Sequence, residues 1–482
     1  MDGDGRWGLS FEMNALMVAG SRRAKASAKS LLLFTALIGT AAAPALAQVA
    51  PARAPAAAAS KPKPATPAAA PETIAPDDPD FAPDEQQAAE AAPAPLPPVV
   101  WDAISAEDLL HYIRQVGVEG LDPADYDPQG LETAIAAGDP ALLSAAATQR
   151  FDAVSSDLAL GHVKQAARVD WFIVDKDLDA QAQDRLLRSA LAGHNIAAAL
   201  NGLLPTHPQY AALKTALAET PAADTAERDR IRLNMDRWRW LPRDLGEKYI
   251  IVNVPSFHAT LVEGGVNRWK HKAIAGKIST PTPQLSALAT GVILNPWWEV
   301  PKSIEKEVAG KKGFVALKND DGSVKRWRQP PGPTNALGQI KFVMPNSKAI
   351  YLHDTNARSR FNDNVRALSH GCVRTQHILD LATQLLGDDG GTWTPEKVQA
   401  TLASKKTVQA KFVKPVPVYI VYFTSAGLND GRIVDYNDLY GRDTKALTAL
   451  NMDDGGASLG AKPKQEVASQ AKAKRKDQVA TR

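Results

Sequence analysis

The 482-residue chain has a single cysteine. An internal disulfide is therefore excluded, as is any metal centre built on cysteine pairs. Aromatic residues make up only 6% of the chain. Charge of one sign is also lacking: 56 Lys and Arg oppose 53 Asp and Glu, a net +3 that implies no general affinity for nucleic acid. Long apolar runs are scarce. The stretch Leu31 to Ile38 is too short for a confident membrane span. No His-Glu-x-x-His or Cys-x-x-Cys pattern occurs.

What is present falls into blocks. Arg22, Arg23, Lys25 and Lys29 precede that apolar stretch, and Ala45-Leu46-Ala47 follows it as a small-x-small cleavage site. This layout predicts a secretory signal peptide over 1–47, with an uncleaved anchor as the alternative. Met13 and Met17 offer alternative starts, because the residues before Arg22 are polar for a signal. Residues 48–99 are mostly Ala and Pro with almost no large apolar side chain. Such a segment cannot bury enough surface to fold and is expected to be a disordered tether or spacer.

From 100 to 245 the pattern is helical. Ser105-Ala-Glu-Asp108 reads as a capping-box variant ahead of Leu109, Leu110, Ile113 and Val116. Alanine-rich helical patterns are expected over 131–147, 150–166, 181–203 and 209–218, then Arg228–Trp240. His111, His162, His194 and His207 are scattered without ligand spacing and read as structural. Trp238 and Trp240 close the last helix and predict a joint between two domains.

The pattern changes at 246–425. Strands are expected at Tyr249–Val254, Ala259–Val262, Thr290–Leu294, Ile340–Met344, Ile350–His353 and Pro417–Phe423, with one main helix over 375–386. The fold class is thus α+β and multidomain: a helical scaffold, then a mostly antiparallel β domain. Within the β domain the polar 302–336 segment, rich in Pro, Gly and Lys, predicts a lid outside the folding core. Residues 426–482 read as a charged, disordered tail.

The lone thiol stands in Ser369-His370-Gly371-Cys372-Val373-Arg374, 19 residues after His353. A buried inert cysteine is the plain alternative. Here, however, the thiol of an exported chain lies among glycine, histidine and arginine. An imidazole can take its proton and a cation can hold its anion. Gly371 permits a left-handed turn beside it. Thr375 reads as a helix N-cap, which would place Cys372 in the field of a helix N-terminus. Asp354 and Ser369 are candidates to orient an imidazole or simply to make turns. The backbone N–H groups of Gly371 and Cys372 are candidates for an oxyanion hole. Zinc on His353, His370, Cys372 and His377 is the rival reading, but the spacing is tight and no metal motif accompanies it.

The pattern His353-Asp-Thr … Ser369-His370-Gly371-Cys372-x-Arg374 closely resembles the YkuD-type L,D-transpeptidases of bacterial cell-wall synthesis. The likeness extends through Asn295-Pro296-Trp297-Trp298 and Trp238-Arg239-Trp240-Leu241-Pro242, over about 100–425. It implies a β-sandwich-like catalytic fold with a capping loop and a periplasmic location. It implies peptidoglycan stem peptides as substrate, 3→3 cross-linking, carbapenem sensitivity and no cofactor or metal. Other cell-wall synthesis proteins are conceivable partners. In this reading Cys372 is the nucleophile and His353 the proton carrier. His370 braces the loop or the substrate, and Gly371 shapes the turn. Arg374, Ser369, Asp354, Trp297, Trp298 and Asn295 surround the substrate. No separate peptidoglycan-binding module fits between 218 and 228. Two alternatives stay open: a hydrolytic cysteine peptidase or carboxypeptidase using the same pair, and a non-catalytic wall-binding protein.

Overall fold

The computed structural model describes residues 97–428 and 431–452. The expected signal peptide, the tether up to residue 96 and the lysine-rich end lie outside them. Among the described residues no helix is long and apolar enough to cross a membrane.

Seven helices form most of the N-terminal part: α1 (Ala103–Gln115), α2 (Pro128–Ala137), α3 (Pro140–Leu160), α4 (Ala180–Ala192), α5 (Ile196–Asn201), α6 (Pro208–Glu219) and α7 (Thr225–Arg239). Their starts follow from short acidic caps. Asp102, Asp127, Asp139, Asp179 and Asp224 each accept a backbone N–H of the first turn. The cap of α1 is therefore Asp102; Ser105 donates the capped N–H and does not open the helix. The expected break near 148 is absent. It falls instead at Gly138, whose left-handed φ of 66° ends α2 before Asp139-Pro140 starts α3. Leu109, Ile113, Leu131, Phe151, Val154 and Leu158 form the core of this part.

The β strands are β1 (Trp171–Phe172), β2 (Lys248–Asn253), β3 (His258–Glu263), β4 (Val266–Gly276), β5 (Gln284–Leu294), β6 (Trp298–Glu299), β7 (Val315–Lys318), β8 (Val324–Gln329), β9 (Ile340–Val343), β10 (Leu352–His353), β11 (Ala367–Ser369), β12 (Val373–Thr375), β13 (Val408–Val421), β14 (Ser425–Gly427) and β15 (Ile433–Asp435). In the main sheet β5, β13, β2, β3, β4, β12, β10 and β9 follow one another, and β9 pairs back onto β5. The sheet thus closes on itself, which leaves no free edge in this ring. Most pairings are antiparallel, as expected; β13–β2 and β10–β12 are parallel. Ile250, Val252, Leu261, Val292, Phe342, Leu352 and Val373 pack with the helix α9 (Ile378–Asp388) as one core. Leu402 of α10 (Pro395–Ala403) joins it.

The segment expected as a loop lid is folded. β6, β8 and β7 form a small sheet beside α8 (Glu305–Val308). Val300, Ile304 and Val308 make its own core, with Trp298, Phe314 and Trp327 against them. Its polar composition hid this, because three apolar side chains suffice for so small a unit.

The expected tail is also folded as far as Met452. β14 and β15 make a hairpin, and α11 (Asp443–Leu450) packs on α7. The scaffold meets the barrel at this place. Trp238 stacks between His207 and Phe423, with centroids 4.2 and 4.8 Å away. Trp240 meets Trp171 edge-on at 5.3 Å. The expected joint at Trp238 and Trp240 is a shared apolar core that includes Leu241, Tyr249, Tyr419 and Phe423. Asp236 is fully buried within it and accepts the His162 and Val163 N–H groups and the Trp240 indole N–H.

Candidate active site

Cys372 ends a tight loop and leads directly into β12. No helix starts there. Thr375 is a buried strand residue, and α9 begins at Ile378 after His377, which adopts φ 53° and caps nothing with its side chain. The pairing of Arg374 with both Ile274 and His353 draws 373–375 into the sheet. The anticipated helix field on the thiol is therefore missing.

The loop is held from inside and outside. Ser369 Oγ donates to the Cys372 carbonyl at 2.6 Å and accepts the Gly371 N–H at 3.1 Å. Gly371 sits at φ 115°, where an L side chain is strained, and an added Cβ would lie 3.2 Å from Ile350 Cδ1. The Gly371 N–H is thus engaged within the loop, which removes it from the expected oxyanion hole. Ser369 orients no imidazole; it ties the loop together. Thr282 Oγ1 donates to the Gly371 carbonyl at 2.7 Å, and the Lys277 N–H donates to the Ser369 carbonyl at 2.9 Å. Behind Thr282 stand Tyr440, whose hydroxyl donates to the Gly276 carbonyl at 2.6 Å, and Arg442, which donates to the Thr282 carbonyl at 3.0 Å.

The half-buried thiol has neighbours on β9 and just before β10. Burial pushes Cys372 above the usual thiol range. The Tyr351 backbone N–H, the Lys341 ammonium, the Tyr351 hydroxyl and the Arg374 guanidinium oppose that by favouring the thiolate. Tyr351 in turn receives the Trp298 indole N–H from the lid, and Lys341 Nζ lies 3.9 Å from the Tyr351 ring centre. Burial lowers the pKa of both Lys341 and Arg374, and the thiolate is the first charge that raises each again. The Arg374 Nε is buried without a hydrogen-bond partner.

His353 ends β10, as expected, and is 5% exposed. Its Nδ1 lies 2.5 Å from the Asp354 carbonyl oxygen. A carbonyl only accepts, so Nδ1 carries the proton and Nε2 keeps its lone pair. Burial first, then the Arg374 charge, pushes His353 down to about 3. The imidazole is therefore neutral near neutral pH. Asp354 orients it through its carbonyl and not its carboxylate, which binds the Gln339 N–H at 3.0 Å and Arg358 at 2.8 Å. His370 points elsewhere, to Lys277 Nζ at 3.2 Å and Glu307 of the lid at 3.3 Å.

The remaining expected residues divide. Trp298 reaches the thiol's surroundings through Tyr351. Trp297 lies beneath the Arg328 guanidinium at 4.3 Å and serves the lid. Asn295 donates to the carbonyls of Thr401, Leu402 and Lys406, and its own carbonyl accepts from Thr407; it anchors the end of α10. It is not placed against the thiol by any of these contacts. His377 faces His271 and Asp380, so the four side chains of the zinc reading do not converge. Among the described residues no three His, Cys, Asp or Glu side chains could share an ion. Tyr351, Lys341 and Thr282 are missing from the sequence reading. Only the β9–β10 register, which sets His353 opposite Lys341, could have pointed to the second of them.

A cavity of about 250 Å³ opens beside Lys341, Ala349 and Tyr351. The larger cavity, about 560 Å³, lies past Asp354, between the Pro331–Pro333 end of the lid and Lys405. The smaller one is lined in part by Ala349, whose carbonyl oxygen lies 3.8 Å from the Cys372 sulfur.

A ring-closed β domain with a lone thiol and a buried neutral imidazole defines the class in structural terms. Comparison with known proteins shows what its parts are similar to. Residues 247–420 match the model of the L,D-transpeptidase catalytic domain (YkuD), and residues 99–217 match a scaffold domain model. A Haemophilus influenzae protein named "Putative L,D-transpeptidase" is 34% identical over 251 residues, covering 46% of this chain and 50% of that protein. The chain thus spans half the length of this curated relative. Among solved structures, an L,D-transpeptidase from Mycobacterium smegmatis aligns over 36% of this chain and 58% of its own, at 14% identity and TM-score 0.20. An Enterococcus faecium L,D-transpeptidase catalytic domain acylated by ertapenem aligns over 37% and 99%, at 16% identity and TM-score 0.18. The chain thus carries a region matching the L,D-transpeptidase catalytic domain over 247–420 and a region matching a scaffold domain over 99–217.

Proposed function

We propose that this protein is a periplasmic L,D-transpeptidase that joins peptidoglycan stem peptides by 3→3 cross-links through a cysteine acyl-enzyme. Cys372 Sγ attacks the carbonyl between the L-centre of meso-diaminopimelate and the terminal D-alanine. His353 Nε2 takes the thiol proton and returns it to the departing D-alanine nitrogen. An amine from a neighbouring stem then attacks the thioester, gives up a proton to His353, and releases the thiol. One observation carries the reading: the only thiol of the chain is met by the Tyr351 N–H and hydroxyl and by two cations, Lys341 and Arg374, all of which favour its anion. At rest the Cys372 thiol and the His353 imidazole are each neutral, because burial disfavours the charged form of both. The cations hold the anion once the proton has left.

The test is intact-mass measurement of the purified chain with a carbapenem, followed by analysis of the products made from tetrapeptide stems. One adduct on the wild type, none on Cys372→Ala, and stem dimers among the products support the proposal. An adduct on Cys372→Ala, or no adduct at all, overturns it. Trimmed monomers without dimers would assign a hydrolase.

A further inference from the structure

His370 stands next to the nucleophile loop's glycine, yet its ring makes its contacts away from the thiol. Two opposite charges meet the same ring nitrogen. Nε2 lies 3.2 Å from the Lys277 ammonium and 3.3 Å from a Glu307 carboxylate oxygen. Among the described residues these are the charged groups recorded against this imidazole, one from the turn after β4 and one from the lid helix α8. A neutral Nε2 with a lone pair accepts from Lys277 and repels the Glu307 oxygen's lone pairs. A protonated Nε2–H donates to Glu307 and repels Lys277. The two contacts cannot both be favourable at once.

The His370 end of this contact is fixed, and the Glu307 end belongs to a separate small unit. On one side, Ser369 and Gly371 on either side of His370 are tied down by Thr282, Lys277 N–H and Ser369 Oγ. On the other, Glu307 precedes Val308, which is in the lid's own small core. That core is separate from the barrel core, so the lid can move as a unit.

We propose that His370 is the catch of a proton-operated lid: protonation of its imidazole fastens Glu307 of α8 to the nucleophile loop, and deprotonation releases it to Lys277. His370 is then a positioning residue for access to the thiol. Its consequence for catalysis rests on the function proposed above, but the fastening itself does not. The sign follows from the charges. With His370 protonated, the Glu307 carboxylate meets an imidazolium N–H; with His370 neutral, it meets a nitrogen lone pair. Closure is therefore favoured on the acid side of the imidazole range.

Hydrogen exchange of lid peptides from 302–329 in the full chain tests this, read as protection factors at about pH 5.5 and about pH 8, which bracket imidazole titration in general. Both partners are partly exposed, with side chains 33% and 55% accessible, so a modest effect is expected. Wild-type lid protection should be roughly two- to fivefold higher at the lower pH, as for an exposed ion pair. Glu307→Gln should remove the difference, and Glu307→Asp should keep part of it. Equal protection at both pH values in the wild type, or an undiminished difference in Glu307→Gln, overturns the proposal. Carbapenem adduct formation on the same samples separates a failure here from a failure of the acyl-transfer reading.

Discussion

The joint between scaffold and barrel and the surroundings of Cys372 both bury charge, and they do so differently. At the joint each charge finds its opposite. Arg239 lies 3.4 Å from Asp236, Arg237 lies 2.6 Å from Asp443, and Asp236 takes three further N–H groups. Around the thiol, no ion pair to Lys341 or Arg374 is found among the described residues; the charge that most favours each is the Cys372 thiolate, absent at rest, with Glu299 a lesser one for Lys341. Buried charge that is neutralised within the fold holds parts together. Buried cations left without a carboxylate favour an anion nearby, as the function proposed above requires.

The comparison breaks most visibly at His353. His353→Ala should slow carbapenem acylation by on the order of 10²–10⁴-fold, the usual scale for losing a general base. His370→Ala should cost less, because its ring faces Lys277 and Glu307. If His370→Ala shows the deeper loss with the fold intact, the two roles must be exchanged. At the joint, Asp236→Ala should destabilise the chain by about 3–5 kcal/mol in denaturant titration, since Arg239 is left buried without its partner. Arg374→Ala should leave the denaturation midpoint nearly unchanged and raise the pH at which iodoacetamide alkylates Cys372. A large stability loss in Arg374→Ala would erase the distinction between the two regions.

The acid side sharpens the contrast further. His353 is pushed down to about 3 in the folded chain, against about 6.5 for a free imidazole. Below that free value the unfolded state binds the extra proton, so stability rises with pH across this window and falls as pH drops from about 6.5 toward 3. The loss from this one residue should reach about 3 kcal/mol by pH 4. His207, pushed down to about 4 by burial, adds in the same direction. His353→Gln should flatten the slope in thermal melts between pH 4 and 6 (roughly the linkage window). An unchanged slope would remove His353 from the acid sensitivity. The smallest effect is expected of Tyr351→Phe, which removes one hydrogen bond to the sulfur anion. Acylation should slow roughly tenfold to a hundredfold, the scale of a charge-assisted bond, while the melting midpoint stays put. A change in melting alone would make Tyr351 a packing residue.

The sequence made some of this legible and hid the rest for physical reasons. The motif from Ser369 to Arg374 is contiguous, so a single loop brings its members together, and the upstream His353 follows from the strand that ends on it. The helical patterns over 131–147 and 209–218 pointed to α2 and α6, but the Asp139-Pro140 start of α3 was missed because the alanine-rich pattern runs on across it. Tyr351 and Lys341 gave no signal, because their meeting depends on which strands pair and in what register. The Gly371 N–H could be placed only once Ser369 Oγ was seen to hold it. The segment beyond 425 looked like a tail because its elements are short and polar. Its order comes from a few anchored side chains such as Tyr440 and Arg442, whose partners lie more than 150 residues away.

Those anchors bear on how far the molecule is modular. The catalytic match ends at residue 420. The side chains that back the nucleophile loop come from Tyr440 and Arg442, and Arg442 also grips Asp170 of the helical part at 2.7 Å. The short strand β1 from that same part pairs with β5 of the barrel. The two matched regions are interlocked like a carpenter's joint, not strung like beads. A gene segment cut at the matched boundaries and moved into another protein would arrive without the pegs that keep its cysteine loop in shape.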